Sequence, residues 1–216
     1  NGRSAPDART ATHLERLRAE GATVEYARAD VADDAAMRAI VAGIERDHGG
    51  LHGVLHCAGV TRDRLITGSS SHDARTVLAP KTAGVVTLDE MTAHLPLEFF
   101  LLFSSLAGAV GNVGQAVYAA GNAFMDHYAA HRASLVARGE RHGRTLSADW
   151  QLWQDGGMTV NAQVSCAAAD GPGLAVLDRA TGLVLLDACA ATGESHVLPL
   201  AGDAARPAPA RRWTRV

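Results

Sequence analysis

The chain has 216 residues, of which 47% are apolar, 20% charged and 5% aromatic, and its formal net charge is −3. This suits one α/β domain, or a large part of one, with a sizeable core, and it excludes intrinsic disorder. The small net charge gives no broad basic field for nucleic acid. No apolar run is long enough to span a bilayer and no signal peptide opens the chain, so no membrane association and a cytoplasmic location are expected. Three widely spaced cysteines, Cys57, Cys166 and Cys189, fit reduced thiols better than a disulfide framework or a zinc knuckle.

The chain opens Asn1-Gly2-Arg3-Ser4 without an initiator methionine, so a piece of a longer polypeptide is expected. Leu14 and Leu17, set among arginines and glutamates, predict a helix that Gly21 stops. Residues 23–29 read as a strand ending at Asp30-Val31. Asp33 caps a helix whose Met37, Ile40, Val41 and Ile44 share one face. Residues 51–57 form a short apolar strand that runs into Ala58-Gly59. From Asp73 to about Met91 one long helix is predicted, with Pro80 inside it as a bend or boundary.

Residues 98–103 are a near-continuous apolar run, the pattern of a strand buried on both faces of a parallel sheet. A glycine-rich loop (Gly108, Gly111, Gly114) leads to a helix from about Val117 to Arg138, and residues 145–150 form the next strand. The irregular stretch 151–173 is long enough for a lid. A helix over 174–191 and a strand over 195–200 close the pattern, and 204–216 reads as a linker or tail. Alternating strands and helices predict a doubly wound parallel sheet. Such sheets bind ligands at the carboxyl ends of their strands, where Cys57-Ala58-Gly59, Ser104-Ser105 and Trp150 fall.

Ser105 precedes Tyr118 by thirteen positions, and Asn122 follows it by one helical turn. A phenol has an ordinary pKa of roughly 10, so it serves as a proton donor and acceptor near neutrality only beside a cation. Lys81 is the candidate, being the only lysine among 20 lysines and arginines. Either a compact ammonium is needed there, or Lys81 is an incidental surface residue. Tyr118 taken alone reads equally as a packed amphipathic side chain. His127 and His131 stand at i, i+4, but no third ligand accompanies them. A solvated helix face is therefore favoured, and no metal is expected.

Phe103-Ser104-Ser105, Tyr118-Ala-Ala-Gly-Asn122, Ala79-Pro80-Lys81 and His56-Cys57-Ala58-Gly59-Val60 resemble the ketoreductase domain of modular polyketide synthases, within the short-chain dehydrogenase/reductase superfamily. The resemblance runs from Arg3 to about Asp203, so residues 1–203 are expected to be the C-terminal portion of an NADPH-binding catalytic domain. Stand-alone relatives carry lysine where Asn122 stands, and the upstream Lys81 with Asn122 separates this chain from a free-standing reductase. The implied reaction reduces a β-ketoacyl thioester, held on the phosphopantetheine arm of an acyl carrier protein, to a β-hydroxyacyl thioester.

Carried over by position, Tyr118 would donate the proton and Ser105 would hydrogen-bond the same oxygen. Lys81 would lower the phenol pKa and reach the cofactor ribose, and Asn122 would order that network. Arg3 would pair with the 2′-phosphate of NADPH. Asp30 and Val31 match the segment that meets the adenine, and Cys57-Ala58-Gly59 the turn under the adenosine ribose, with Cys57 a packing variant. The family's Leu-Asp-Asp motif aligns with Thr61-Arg62-Asp63, of which Asp63 is retained, and Val110 stands where relatives giving L-alcohols carry tryptophan. Together these imply the D-hydroxyl (B-type) outcome. The stretch from Trp150 to Met158 resembles the lid entrance of synthases that use a free-standing acyltransferase; its alternative is a buried tryptophan pair with a surface loop.

The family's glycine-rich phosphate turn belongs to its first strand–helix unit, and Gly108, Gly111 and Gly114 follow a later strand instead. The expected fold is thus a Rossmann-like α/β doubly wound parallel sheet lacking its first two strands. The expected partners are the carrier protein, other synthase domains and the upstream half of the ketoreductase. Arg132, Arg138, Arg141 and Arg144 read either as a basic cluster facing an acidic carrier protein or as ordinary surface arginines. A non-catalytic ketoreductase-like scaffold is the alternative reading, against which the full set of Lys81, Ser105, Tyr118 and Asn122 argues.

Overall fold

The computed structural model describes residues 1–154 and 176–202. Two helices come first, α1 (Ala8–Ala19) and α2 (Asp34–His48), each capped by an aspartate, Asp7 on the amide of Thr10 and Asp33 on that of Ala36. Those carboxylates satisfy amides that the first helical turn leaves unpaired. Strand β1 (Gly53–His56) follows, then α3 (Ser71–Leu78), α4 (Ala83–Met91) and β2 (Phe99–Ser105). After β2 come α5 (Leu106–Val110), α6 (Ala116–Ala137), β3 (Arg144–Trp150), α7 (Arg179–Ala191) and β4 (His196–Val197).

The strands form a four-stranded sheet in chain order, every pair parallel. Parallel neighbours need crossovers, which the helices supply. β2 pairs along its whole length with β3, from Phe99 opposite Arg144 to Ser105 opposite Trp150. On one face Val54, Phe100 and Leu102 pack with Val41, Val85, Leu88 and Met125. On the other, Leu101 and Leu146 pack with Cys189 of α7. β3 divides differently: Leu146, Ala148 and Trp150 are apolar, while Thr145, Ser147 and Asp149 alternate with them and are also buried. Period-two geometry puts these three polar residues on the α6 side, where Thr145 meets Arg132 and Ser147 meets Asp126.

The predicted long helix is two helices. Pro80 lacks an amide proton, and the chain turns between Leu78 and Ala83, closed by the amides of Lys81 and Thr82 on the Leu78 carbonyl. The predicted strand over 23–29 does not form. That segment makes a single parallel bridge, Arg28 to Gly2, and among the described residues no further neighbour offers it a ladder. The last helix begins at Arg179, and the last strand is confined to His196–Val197. Gly108 lies within α5 rather than in a loop: a Cβ there would stand 2.9 Å from the Asn122 Cβ, so the missing side chain lets α5 lie on α6.

Trp153 bridges to Leu177, and its half-buried ring meets the buried Trp150 edge-on at 5.0 Å. Residues 155–173 of the expected lid, with Met158 and Cys166, and the expected linker 204–216 lie outside the described residues. No described helix is long and apolar enough to cross a membrane.

Candidate active site

Three elements converge on Tyr118. β2 ends at Ser105, whose hydroxyl accepts from the Ala107 amide at 3.3 Å and starts α5. Near its start α6 carries Tyr118, and one turn later Asn122, whose Nδ2 donates to the Tyr118 carbonyl at 2.8 Å. The break between α3 and α4 brings in Lys81, with Nζ 5.3 Å from the Tyr118 ring centroid. Lys81 is only 2% exposed, which removes the surface-lysine alternative. Its stem fits because two neighbours are glycines: a Cβ on Gly121 would lie 3.2 Å from Lys81 Cδ, and one on Gly59 3.2 Å from Lys81 Cε.

Burial pulls the Lys81 pKa down to about 8, while Asp126, Cys57 and Asp149 favour its ammonium form. It therefore remains mostly charged at neutral pH. Burial likewise pushes the Tyr118 phenol above its ordinary value; Ser105 and Asn122 pull it back, and Asp63 adds to the rise. Lys81 is not among the groups that act on this phenol, so the lowering that the resemblance implied is not seen, and burial sets the direction. Asn122 is fully buried and its Oδ1 has no hydrogen-bond partner, so an acceptor faces inward beside Tyr118 ready for a donor.

A cavity of about 400 Å³ is lined by Arg3, Asp30, Val31, Cys57, Ala58 and Gly59, with Ala79 and Pro80 of the Lys81 turn on its wall. Sequence separation thus gives way to one site: all six proposed adenosine-side residues border one space. Asp30 accepts from the Ala32 amide at 3.0 Å, which holds its carboxylate at the loop, and Arg3 stands 3.9 Å away. Val31 is buried against α4, where a Cβ on Gly84 would come within 2.8 Å of it. Cys57 is exposed, yet desolvation pushes its thiol up to about 11, so it is a neutral thiol and no nucleophile.

Residues 1–155 match the model of the KR domain. The chain belongs to the KR domain family. It is 40% identical over 201 residues to polyketide synthase PksN of Bacillus subtilis, covering 93% of this chain and 4% of that protein. It is 44% identical over 186 residues to polyketide synthase ThaG of Burkholderia thailandensis, covering 86% of this chain and 3% of that protein. The crystal structure of a ketoreductase domain from the bacillaene assembly line matches with a TM-score of 0.91 at 37% identity, over 95% of this chain and 49% of that one. The chain therefore spans a few percent of the synthases and about half of that domain. The four-stranded parallel sheet with flanking helices is the Rossmann-like arrangement of these ketoreductases.

In this KR domain Asp63 accepts from Gln115 Nε2 at 2.9 Å, and the Arg64 amide donates to the Gly114 carbonyl at 2.8 Å. These bonds tie the loop after β1 to the turn that opens α6, so Asp63 borders Tyr118. Val110 is exposed at the end of α5, and Met158 lies outside the described residues.

The basic cluster does not hold together. Arg132 is fully buried and bonds Asp89 at 2.7 Å, and Arg141 bonds the same Asp89 at 3.1 Å. Arg144 donates to the Ala190 carbonyl, which leaves Arg138, paired with Glu140, as the exposed member. A guanidinium on α6 can turn inward because the buried Asp89 carboxylate is there to receive it. His127 and His131 are both exposed, as a solvated helix face requires.

Sequence reasoning missed a second polar cluster. Asp126 of α6, Asp149 of β3 and His196 of β4 bring carboxylate oxygens and a ring nitrogen within 4.8 Å of one another. His56 was also missed: buried beside Lys81, its imidazole is held neutral, with its pKa pulled down to about 4 chiefly by desolvation. The one available signal was the alternation Thr145, Ser147, Asp149 in a strand with no solvent-facing side.

Proposed function

We propose that this KR domain reduces a β-ketoacyl thioester on an acyl carrier protein to the β-hydroxyacyl thioester with NADPH, giving the D-hydroxyl. The carrying observation is the buried Lys81 ammonium 5.3 Å from the Tyr118 ring, with Ser105 and Asn122 closing the site. When bound, NADPH supplies the hydride that adds to the carbonyl carbon. Tyr118 gives its phenolic proton to the oxygen as negative charge develops there. Ser105 donates a hydrogen bond to the same oxygen, which stabilises that charge where it forms. Lys81 then faces a phenolate, a partner that its ammonium favours far more than the neutral phenol.

The residues present fit the adenosine end of the cofactor. Arg3 would pair with the 2′-phosphate, Asp30 and Val31 would meet the adenine, and Cys57-Ala58-Gly59 would lie under the ribose. Lys81, whose turn forms the cavity wall, would reach that cofactor from the other side, and the unpartnered Asn122 Oδ1 offers an acceptor in the same network. Asp63 supports the D-outcome by its place beside Tyr118, and Val110 by leaving the bulk of a tryptophan out of the α5 end. Beyond the carrier protein, the remaining domains of a synthase and the upstream half of the ketoreductase are the proposed partners.

The test is reduction of a β-ketoacyl N-acetylcysteamine thioester by the intact protein, wild type against Tyr118→Phe. Loss of about 10²–10⁴-fold with unchanged unfolding supports catalysis by Tyr118. Undiminished reduction in the variant removes Tyr118 as the proton donor, and no reduction in the wild type leaves the scaffold reading in its place.

A further inference from the structure

Lys81 poses an electrostatic problem that the catalytic residues do not solve. It is 2% exposed, and among the described residues it makes no direct ion pair. A buried ammonium without a counter-charge loses its proton. The groups around it are His56 of β1, Cys57 after β1, Tyr118 and Asp126 of α6, and Asp149 of β3; Asp126 Oδ2 lies by the Asn122 turn of α6, 3.1 Å from where a Gly108 Cβ would stand, and the Lys81 stem packs on the adjoining Gly121. His56 and Cys57 are neutral, and Tyr118 is neutral in the resting site. Among the described residues around Lys81, the two aspartates are left to supply negative charge.

These aspartates are built as a pair. Asp149 is fully buried and Asp126 nearly so. Ser147 donates to Asp126 Oδ1 at 2.7 Å, and His196 Nε2 stands 3.1 Å from Asp149 Oδ2 and 3.9 Å from Asp126 Oδ1. His196 is 36% exposed, so it closes the cluster on the solvent side. The seam continues inward through Ser104, which donates to the Asn122 carbonyl at 3.3 Å, and so ends at the residue that braces Tyr118. A merely structural seam would be served by amides, which bury at lower cost than carboxylates.

We propose that Asp126 and Asp149 together are the remote counter-charge of Lys81, and that His196 holds that charge in place from the solvent side. The three are positioning residues, and the idea rests on the reading of Lys81 as the partner of Tyr118. Burial and the neighbouring Asp126 raise Asp149 to about 6, whereas Ser104 and His196 favour its ionised form. The pair therefore sheds negative charge as pH falls through about 6. Because Asp126 raises Asp149, removing Asp126 leaves Asp149 more fully charged, and removing Asp149 still leaves the Asp126 carboxylate. Single variants are compensated in part, and the double variant is not.

The test is the titration of Lys81 itself in the intact protein. Trace labelling with acetic anhydride across a pH series, resolved at the Lys81 peptide by mass spectrometry, reads its midpoint without reference to any reaction. In Asp126→Asn/Asp149→Asn the midpoint falls by about one pH unit or more. It falls less in Asp149→Asn, and less again in His196→Gln, which leaves the carboxylates present. The alkaline limb of the reduction profile moves to lower pH in the same order. His196 is half-exposed, so its variant keeps the test open if the double variant does not fold. An unmoved Lys81 midpoint in every folded variant overturns the proposal. A shifted midpoint in a protein that reduces nothing upholds the counter-charge while removing the reductase reading.

Discussion

Two arginine–aspartate pairs set the two sides of this KR domain apart. Arg132 and Asp89 are fully buried and meet at 2.7 Å, and Thr145, Tyr128 and Arg141 complete their hydrogen bonding. Arg3 and Asp30 meet at 3.9 Å with side chains 53% and 44% exposed. The first pair joins α4, α6 and β3, the elements behind the Lys81–Tyr118 arrangement. The second sits on the rim of the cavity that Val31 and Gly59 help to line. A site that must hold a fixed geometry is backed by desolvated, fully bonded charges. The proposed cofactor side keeps its guanidinium wet and loosely paired, which suits the exchange of one anion for another.

Arg132→Met tests the buried side with the largest effect. It leaves the buried Asp89 carboxylate with only Arg141 as counter-charge, at an expected cost toward the lower end of about 3–5 kcal/mol by chemical denaturation of the intact protein. A loss within the range of a surface substitution would mean that packing, and not this pair, joins β3 to α6. His56 tests the same side through pH. Its folded pKa of about 4 lies below the ordinary 6.5, so its contribution is present above about 6.5 and is lost as pH falls through 4. The loss is on the order of 3 kcal/mol, and His56→Asn should flatten the stability profile over that window. Asp149 has the opposite sign: its folded pKa of about 6 exceeds 3.8, so its contribution is present below 3.8 and is lost as pH rises through 6.

On the exposed side, Arg3→Ala should leave unfolding within about 0.5 kcal/mol of the wild type. NADPH affinity should fall by about tenfold or more while NADH affinity holds, as read by cofactor fluorescence titration. Equal losses for both cofactors would take Arg3 away from the 2′-phosphate. Gly121→Ala probes the join between the two sides at a cost of about 1 kcal/mol in stability, since the added methyl presses on the Lys81 stem and touches Leu78 Cδ2. It should nevertheless lower reduction by more than its cost in stability accounts for, because the displaced atom carries the ammonium.

Much of the fold was legible because its signals are local. Met37 and Val41 share a buried face, the run from Phe99 to Phe103 lies in the central part of the sheet, and Pro80 breaks the helix around it. The strand expected over 23–29 does not form because a strand exists only when a neighbour takes its backbone bonds, and this segment has one bridge, to Gly2. Arg132 was misread for a related reason. An arginine on a helix reads as exposed unless a buried carboxylate waits for it, and Asp89 lies 43 residues upstream.

Taken alone, the sequence determined the helices, the apolar strands, the one-turn spacing of Tyr118 and Asn122 and the solitary Lys81, since each depends on residues close in the chain. Tertiary structure alone decided which charges are buried and what they face. Lys81 meets Tyr118 across a helix break, six residues from three segments line one cavity, and Asp149 finds His196 across 47 positions. The cost of burying a charge is set by the groups that surround it in space, and chain order does not carry that information.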